Sequence, residues 1–403
     1  MKHKKTRKNN KINKIKKIKK TTTKKQNNLF IQNKTPLLIQ KVSDKISENV
    51  NSRKYNNFFI PNLFSKPKNK SSYSPTINKQ IVTLKTIPRQ KIIDCNNKLA
   101  FQLKEPLQIG VPGTLYGKNC YNYSTPEAQK YLLKNLAANK HIIVSKVVPP
   151  IQIQANCWFN AMFVMFFVSD KGRKFFHYFR ELMIKGRQKN GQIIPEKLRN
   201  AFALLNFGIE SCLTGNKYAY ELNTNIIIHQ IYDAIPTEYK SKYSYIVDVK
   251  KASNPLMYYM SIVNYLNNNS ILIRLVTDFN GGWREEISNS AKLPHVIGIE
   301  IFDNDNDNDN SKVTSFKIRD TTYSLDSAVV RDNTGQHFCA TLTCEHEEMG
   351  YDGMSFHRIV PLKWKDKLNS DFTWNFEGSN NSDDTPLEWN FTKGYQLLVY
   401  YMV

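Results

Sequence analysis

Ile151-Gln152-Ile153-Gln154-Ala155-Asn156-Cys157-Trp158-Phe159-Asn160-Ala161 joins two segments of opposite character. A polar run ends in a cysteine, and from that cysteine to Val168 the chain is apolar apart from Asn160. Crossing a bilayer takes about 20 apolar residues, so this shorter run reads as a helix buried on all sides. A thiol at a helix N-terminus meets the positive end of the dipole, which favours the thiolate. The unpaired N–H groups of the same turn can hold an oxyanion. The plainer reading of such a cysteine, packed core among aromatics, stands beside this one.

Working outward, Gly110, Pro112-Gly113 and Gly117 punctuate a loop, and Thr125-Pro126-Glu127 opens a helix running to about Ala138. His141 to Val148 is a short β-rich run. After Val168, Ser169-Asp170 caps a second helix, on which Phe175, Phe176, Phe179, Leu182 and Met183 share one face. Further helices are predicted from Pro195, over Asn225 to Ala234, and over Pro255 to Leu266. Beyond residue 270 the pattern becomes β: Ile271 to Val276, Val296 to Phe302, Val313 to Ile318, Ala328 to Val330, Phe338 to Cys344 and Tyr395 to Val403. Helices first and an antiparallel sheet second predict an α+β fold. The alternating Asp303 to Asn310 reads as a solvated loop. It lacks the glycine and the closing glutamate of an EF-hand calcium site.

Two further segments carry chemistry. Thr334-Gly335-Gln336-His337-Phe338 delivers a histidine from a turn to the start of a strand. A cysteine on a helix start and a histidine on a strand start, far apart in sequence, is how thiol hydrolases assemble their pair. Phe372-Thr373-Trp374-Asn375-Phe376-Glu377-Gly378 then offers an amide and a carboxylate. Either Glu377 or Asn375 could accept the second ring N–H of His337 and fix its tautomer. His177, His229, His346 and His357 read as structural, and no cofactor or metal site is expected. Cys339 and Cys344 are not spaced as a metal pair, and no C-x-x-C occurs.

Charge is distributed unevenly over the 403 residues. Of the 58 Lys+Arg, 26 lie in residues 1–100 against only Asp44, Glu48 and Asp94, and thirteen lie in residues 1–30 with no acid at all. Residues 101–403 are left with a net charge of +1, so the overall +24 belongs to the N-terminal part. Residues 1–30 are expected to be a disordered Lys/Asn-rich basic tail, able to meet nucleic acid or an acidic surface non-specifically. Residues 31–100 are expected to be a mostly irregular linker, and 101–403 the folded catalytic domain. Six cysteines in a chain of this length exclude a disulfide scaffold, and the thiols are expected to be reduced. With no secretory signal and no transmembrane run, the expected location is intracellular, in cytoplasm or nucleus.

The segments, taken in order, resemble the ubiquitin-specific protease family in divergent form. That family's cysteine box reads roughly Asn-x-Gly-Asn-Thr-Cys-Tyr-x-Asn-Ser, beside Asn156-Cys157-Trp158-Phe159-Asn160-Ala161. Its later pattern is similar to Leu293-Pro294-His295-Val296-Ile297-Gly298-Ile299-Glu300-Ile301, to Tyr323-Ser324-Leu325-Asp326-Ser327-Ala328-Val329-Val330 and to Gly335-Gln336-His337-Phe338-Cys339-Ala340. Trp374-Asn375-Phe376-Glu377 and Gly394 to Tyr400 resemble its closing motifs, and against that pattern Glu345 to Thr373 is a long insertion. The Lys/Asn/Ile bias resembles proteins of giant DNA viruses. The resemblance spans about 150–403 and implies a papain-like cysteine peptidase, with an N-terminal helical lobe and a C-terminal β lobe. It implies a hydrolase cleaving after the C-terminal glycine of ubiquitin or a ubiquitin-like modifier, with protein conjugates as partners. Cys157 would be the nucleophile, His337 the base, Glu377 or Asn375 the third member, and Gln152 or Gln154 an oxyanion donor. A catalytically inactive ubiquitin-binding module, or a cysteine peptidase with another substrate, is the alternative.

Overall fold

The computed structural model describes residues 95–112, 119–138, 141–188, 190–266, 272–302, 311–335 and 337–403. The basic tail, the linker up to Asp94 and the Asp303 to Asn310 loop lie outside the described residues. Ahead of Phe101, Cys95 is disulfide-bonded to Cys120 and Asn96 brackets the backbone of Gln108. The expectation that all thiols are reduced is corrected at this pair. Cys157, Cys212, Cys339 and Cys344 are free.

The helices are α1 (Lys98–Phe101), α2 (Pro126–Ala138), α3 (Cys157–Phe167), α4 (Asp170–Phe175), α5 (His177–Lys185), α6 (Glu196–Thr214), α7 (Thr224–Ala234), α8 (Thr237–Lys242), α9 (Pro255–Tyr265) and α10 (Trp283–Ser288). The strands are β1 (Gln108–Val111), β2 (Asn119–Asn122), β3 (Ile273–Val276), β4 (Val296–Ile301), β5 (Ser315–Ile318), β6 (Thr321–Arg331), β7 (Phe338–Cys344), β8 (Glu347–Tyr351), β9 (Ile359–Pro361), β10 (Thr373–Trp374), β11 (Trp389–Asn390) and β12 (Gln396–Met402). The fold is α+β. Its main sheet runs β3-β4-β12-β6-β7-β8-β9, with β5 also on β6. Only the β3–β4 pair is parallel among the described strands of that sheet.

Both faces of the sheet are covered. Leu397, Val399 and Tyr401 of β12 turn toward the helices, while Leu398 and Tyr400 turn toward a layer built on Trp364, Trp374, Trp389 and Phe391. Strands buried on two faces lose their polar alternation, and β12 accordingly has no charged residue from Leu397 to Met402. Helix α3 lies between the sheet and the other helices with every residue buried. Its Trp158 meets Tyr258 of α9 edge-on at 4.8 Å. Each such aromatic side chain, once buried, contributes about 1.5–3 kcal/mol.

The helix expected after Ser169 is two helices that meet at Phe176. Gly172 packs so closely on the end of α3 that a Cβ there would stand 2.3 Å from the carbonyl oxygen of Met165. Ser169 and the buried Asp326 both accept from the first-turn N–H groups, pinning α4 to the sheet before α5 departs. His141 to Val148 is not a strand. Its backbone is satisfied piecemeal, Ile142 donating to Glu345 and Val148 to the carbonyl of Cys212, around a 3-10 turn at Val144–Lys146.

The supposed insertion after Cys344 begins with β8 and β9. Glu345 and His346 turn the β7–β8 hairpin with φ of 50° and 69°. Positive φ at both central residues suits a primed hairpin turn, normally an Asn-Gly position, and costs roughly 1–2 kcal/mol per residue for other side chains. Asp170 offsets that cost, its two carboxylate oxygens accepting from the N–H of Glu345 at 2.7 Å and of His346 at 2.9 Å. Arg173, at 2.7 Å from Glu345 and 2.9 Å from Asp170, completes the grip. Asp170→Ala should therefore lower stability by about 1–3 kcal/mol, the cost of stranding partly buried donors. Urea denaturation beside wild type measures it.

Candidate active site

Cys157 is the first residue of α3, as its polar lead-in and apolar sequel require. The segment before it is held by buried amides. Asn156 accepts from the N–H of Ile153 at 3.0 Å and donates to Thr224 at 2.8 Å, and Thr224 donates to Asn160 at 2.7 Å. Asn160 and Asn225 donate to the carbonyls of Ile151 and Ile153. The start of α7 thus fixes how the chain enters α3.

His337 sits one residue ahead of β7, after a turn organised by Asp332. That carboxylate accepts from the N–H of Thr334, its hydroxyl and the N–H of His337. Gly335, at φ 72°, makes the turn possible. The imidazole is only 4% exposed and Cys157 8%. Nε2 of His337 is 2.6 Å from Oδ1 of Asp352, which leaves Nδ1 as the ring nitrogen available to Cys157. Burial alone would push the imidazolium toward neutrality. The bond to Asp352 and the negative charge that Asp352 and Cys157 bring to the imidazole outweigh it and raise the His337 pKa to about 10.

The structure brings Cys157 and His337 together, but neither Glu377 nor Asn375 completes the set. Both are exposed, and neither makes a bond to His337 among those described. Asp352, at 0% exposure, takes the place by the imidazole. It lies just past β8, and Ala340 of β7 faces Tyr351 of β8. The hairpin register therefore carries the carboxylate back toward the residue that opens β7. The segment read as the source of the third member lies close by, since Ser379 donates to Oδ2 of Asp352. The signal in the sequence was Tyr351-Asp352-Gly353, an acid at a strand end followed by a glycine, hidden because Glu345-His346 does not look like a hairpin turn.

Gln152 and Gln154 both lie on the loop before Cys157. One N–H of the Gln152 amide donates to the carbonyl of Gln154 at 3.1 Å, leaving its second N–H available. The side chain of Gln154 is exposed, on a residue with φ 64°. The Gln152 backbone N–H donates to the carbonyl of Gly353 at 2.8 Å. Tyr351 donates to the carbonyl of Pro150 and Arg358 to that of Pro149, so the β8–β9 connection clamps the loop ahead of Cys157. A Cβ at Gly353 would stand 2.9 Å from the Gln152 nitrogen. Ile151, Ile153, Met354 and Phe356, the last 74% exposed, form an apolar rim on these two joined loops.

Among the described residues no group of three His, Cys, Asp or Glu side chains could hold a metal ion. No described helix is long and apolar enough to cross a membrane. His229 lies between Asp248 and Asp233 on the surface, and His346 in the hairpin turn.

No protein-family model matches the chain, and no curated protein matches it. Among solved structures it is similar to an essential yeast splicing factor, at 9% identity and a TM-score of 0.35, over 74% of this chain and 83% of that one. It is also similar to the SAGA Ubp8/Sgf11/Sus1/Sgf73 DUB module, at 10% identity and a TM-score of 0.32, over 64% of this chain and 68% of that one. At those scores neither likeness carries an argument about fold or function.

Two measurements probe the geometry. A histidine whose folded pKa stands at about 10, above its ordinary 6.5, stabilises the fold fully below 6.5 and loses that contribution as pH rises through about 10. The stability difference between wild type and Asp352→Asn should therefore shrink between neutral pH and about 10, as read by denaturation at several pH values. Gly353→Ala should separate the two loops, lowering thiol reactivity at Cys157 by about tenfold or more, on the scale of misplaced catalytic groups.

Proposed function

We propose that the chain is a papain-like thiol hydrolase in which Cys157, His337 and Asp352 form the catalytic triad. The observation that carries this reading is a buried imidazole bonded to a fully buried carboxylate and raised in basicity by the thiol at the N-terminus of α3. The helical elements that deliver Cys157 and the antiparallel sheet that delivers His337 and Asp352 are the two lobes of such an enzyme.

In the proposed reaction, His337 as imidazolium and the positive end of α3 stabilise the Cys157 thiolate. The thiolate attacks the carbonyl carbon of an amide, and the carbonyl electrons move to oxygen. The Cys157 N–H and an amide N–H of Gln152 or Gln154 receive that oxyanion, each donor worth roughly 3–4 kcal/mol. Collapse breaks the C–N bond, and His337 gives its proton to the departing amine. Neutral His337 then takes a proton from water, whose oxygen attacks the thioester. The acyl group leaves as a carboxylic acid and the ion pair is restored. Asp352 keeps the ring oriented and its charge balanced, the role of a third triad member.

The substrate we propose is ubiquitin, or a ubiquitin-like modifier, joined through its C-terminal glycine to a protein. The ordered sequence motifs support this, and the apolar rim beside the thiol offers a surface for a folded modifier. The test is hydrolysis of a fluorogenic amide of the ubiquitin C-terminus. Cys157→Ala should abolish turnover with the fold retained. Asp352→Ala should lower kcat by about 10²–10⁴-fold. Glu377→Gln and Asn375→Ala should stay within about threefold of wild type, as surface changes do. Full turnover in Cys157→Ala would overturn the proposal, and a loss in Glu377→Gln that exceeded the loss in Asp352→Ala would reassign the third member.

A further inference from the structure

Asp352 has two carboxylate oxygens with different partners. Oδ1 accepts from Nε2 of His337 at 2.6 Å and from the N–H of Met354 at 3.2 Å. Oδ2 accepts from the hydroxyl of Ser379. Ser379 is itself fully buried, and its backbone is fixed on both sides. Its N–H donates to the carbonyl of Phe376 at 3.0 Å, and its carbonyl accepts from Leu387 at 2.9 Å. The turn that delivers it needs Gly378 at φ 87°, where a Cβ would meet the ring of Phe356 at 2.7 Å. The same aromatic layer braces both ends of the contact. Trp389 is 5.3 Å from the ring of Phe376 and 5.9 Å from the imidazole of His337.

Resting on the triad reading above, we propose that Ser379 is a positioning residue, whose buried hydroxyl holds Oδ2 of Asp352 so that the carboxylate stays aimed at His337. The physical reason is that a buried acceptor left without a donor is costly, so each donor fixes the oxygen it serves. Met354 and His337 both act on Oδ1, and Ser379 is the described donor to Oδ2. Without the hydroxyl, Oδ2 loses that donor and the carboxylate turns more freely about its side-chain bonds. The cysteine–imidazole ion pair then forms over a pH range narrowed on its acid side. A hydroxyl that served packing alone would lower activity evenly across pH.

The test uses the full chain and a probe that does not depend on the substrate. The rate of Cys157 alkylation by iodoacetamide is followed from acid to alkaline pH, with Cys157→Ala as the blank for the other thiols. Wild type should show an alkylation plateau reaching well below the range in which an isolated thiol, of pKa about 8.5, reacts. In Ser379→Ala the acid edge of that plateau should move up by about one unit, about tenfold in rate on that limb. Ser379→Thr, which keeps the hydroxyl, should restore the edge. If Ser379→Ala does not fold, Ser379→Cys keeps the volume with a weak donor and, read against a Cys157→Ala blank that carries the same substitution, should show the same shift in milder form. A folded Ser379→Ala with its acid edge unmoved, or a folded Ser379→Thr as shifted as the alanine variant, would overturn the role of Ser379 and leave the triad standing. A wild-type profile with no plateau, like that of an isolated thiol, would overturn the triad itself.

Discussion

A carboxylate with no surface in water must be paired, because leaving one unpaired in a protein interior costs several kcal/mol. Asp352 is that carboxylate, and much of the surrounding architecture can be traced to its needs. Its oxygens are met from three directions: by the histidine that opens β7, by the chain just beyond β8, and by a serine mounted on the aromatic layer. Holding all three in place takes the register of the β7–β8 hairpin. That register depends on a turn the sequence alone would not favour, held by Asp170 from the far side of the helix–sheet boundary.

The cysteine arrives by an independent route. Helix α3 is buried along its whole length, so it cannot shift to meet a partner, and the partner must be brought to it. Two devices do this. The amides of Asn156, Asn160 and Asn225 tie the lead-in to α7, and the backbone of Gly353 ties the same lead-in to the residue after Asp352. The carboxylate and the loop before the thiol therefore move as one piece. Access to that piece is narrow, since thiol and imidazole are almost wholly covered, whereas its rim of Ile151, Ile153, Met354 and Phe356 is open and apolar.

What was legible in the sequence followed from local physics. The apolar run after Cys157 could only be a buried helix, and β7 matches its reading over Phe338–Cys344, where the β-branched Thr341 and Thr343 alternate with Ala340, Leu342 and Cys344. The Gly335 turn pointed to His337 for the same local reason. What was not legible depended on distant partners. Glu345-His346 carries no hairpin signal, because the stabilising groups belong to α4, so the local pattern reveals neither β8 nor the place of Asp352. Glu377 and Asn375 had the right chemistry at the right order in the chain. Their alternation with buried Trp374 and Phe376 turns both outward, and the segment contributes Ser379 to the site instead. The Cys95–Cys120 bond was equally hidden, since nothing near either residue announces the pairing.

The most direct measurement is to incubate the protein with ubiquitin bearing a C-terminal electrophile and locate the adduct by peptide mass spectrometry. The proposed function predicts one covalent adduct, on Cys157, which should be lost in Cys157→Ala and strongly slowed in Asp352→Ala. A protein that stays unmodified while its Cys157 is readily alkylated by a small reagent would contradict the ubiquitin reading. An adduct on any other cysteine would contradict the site.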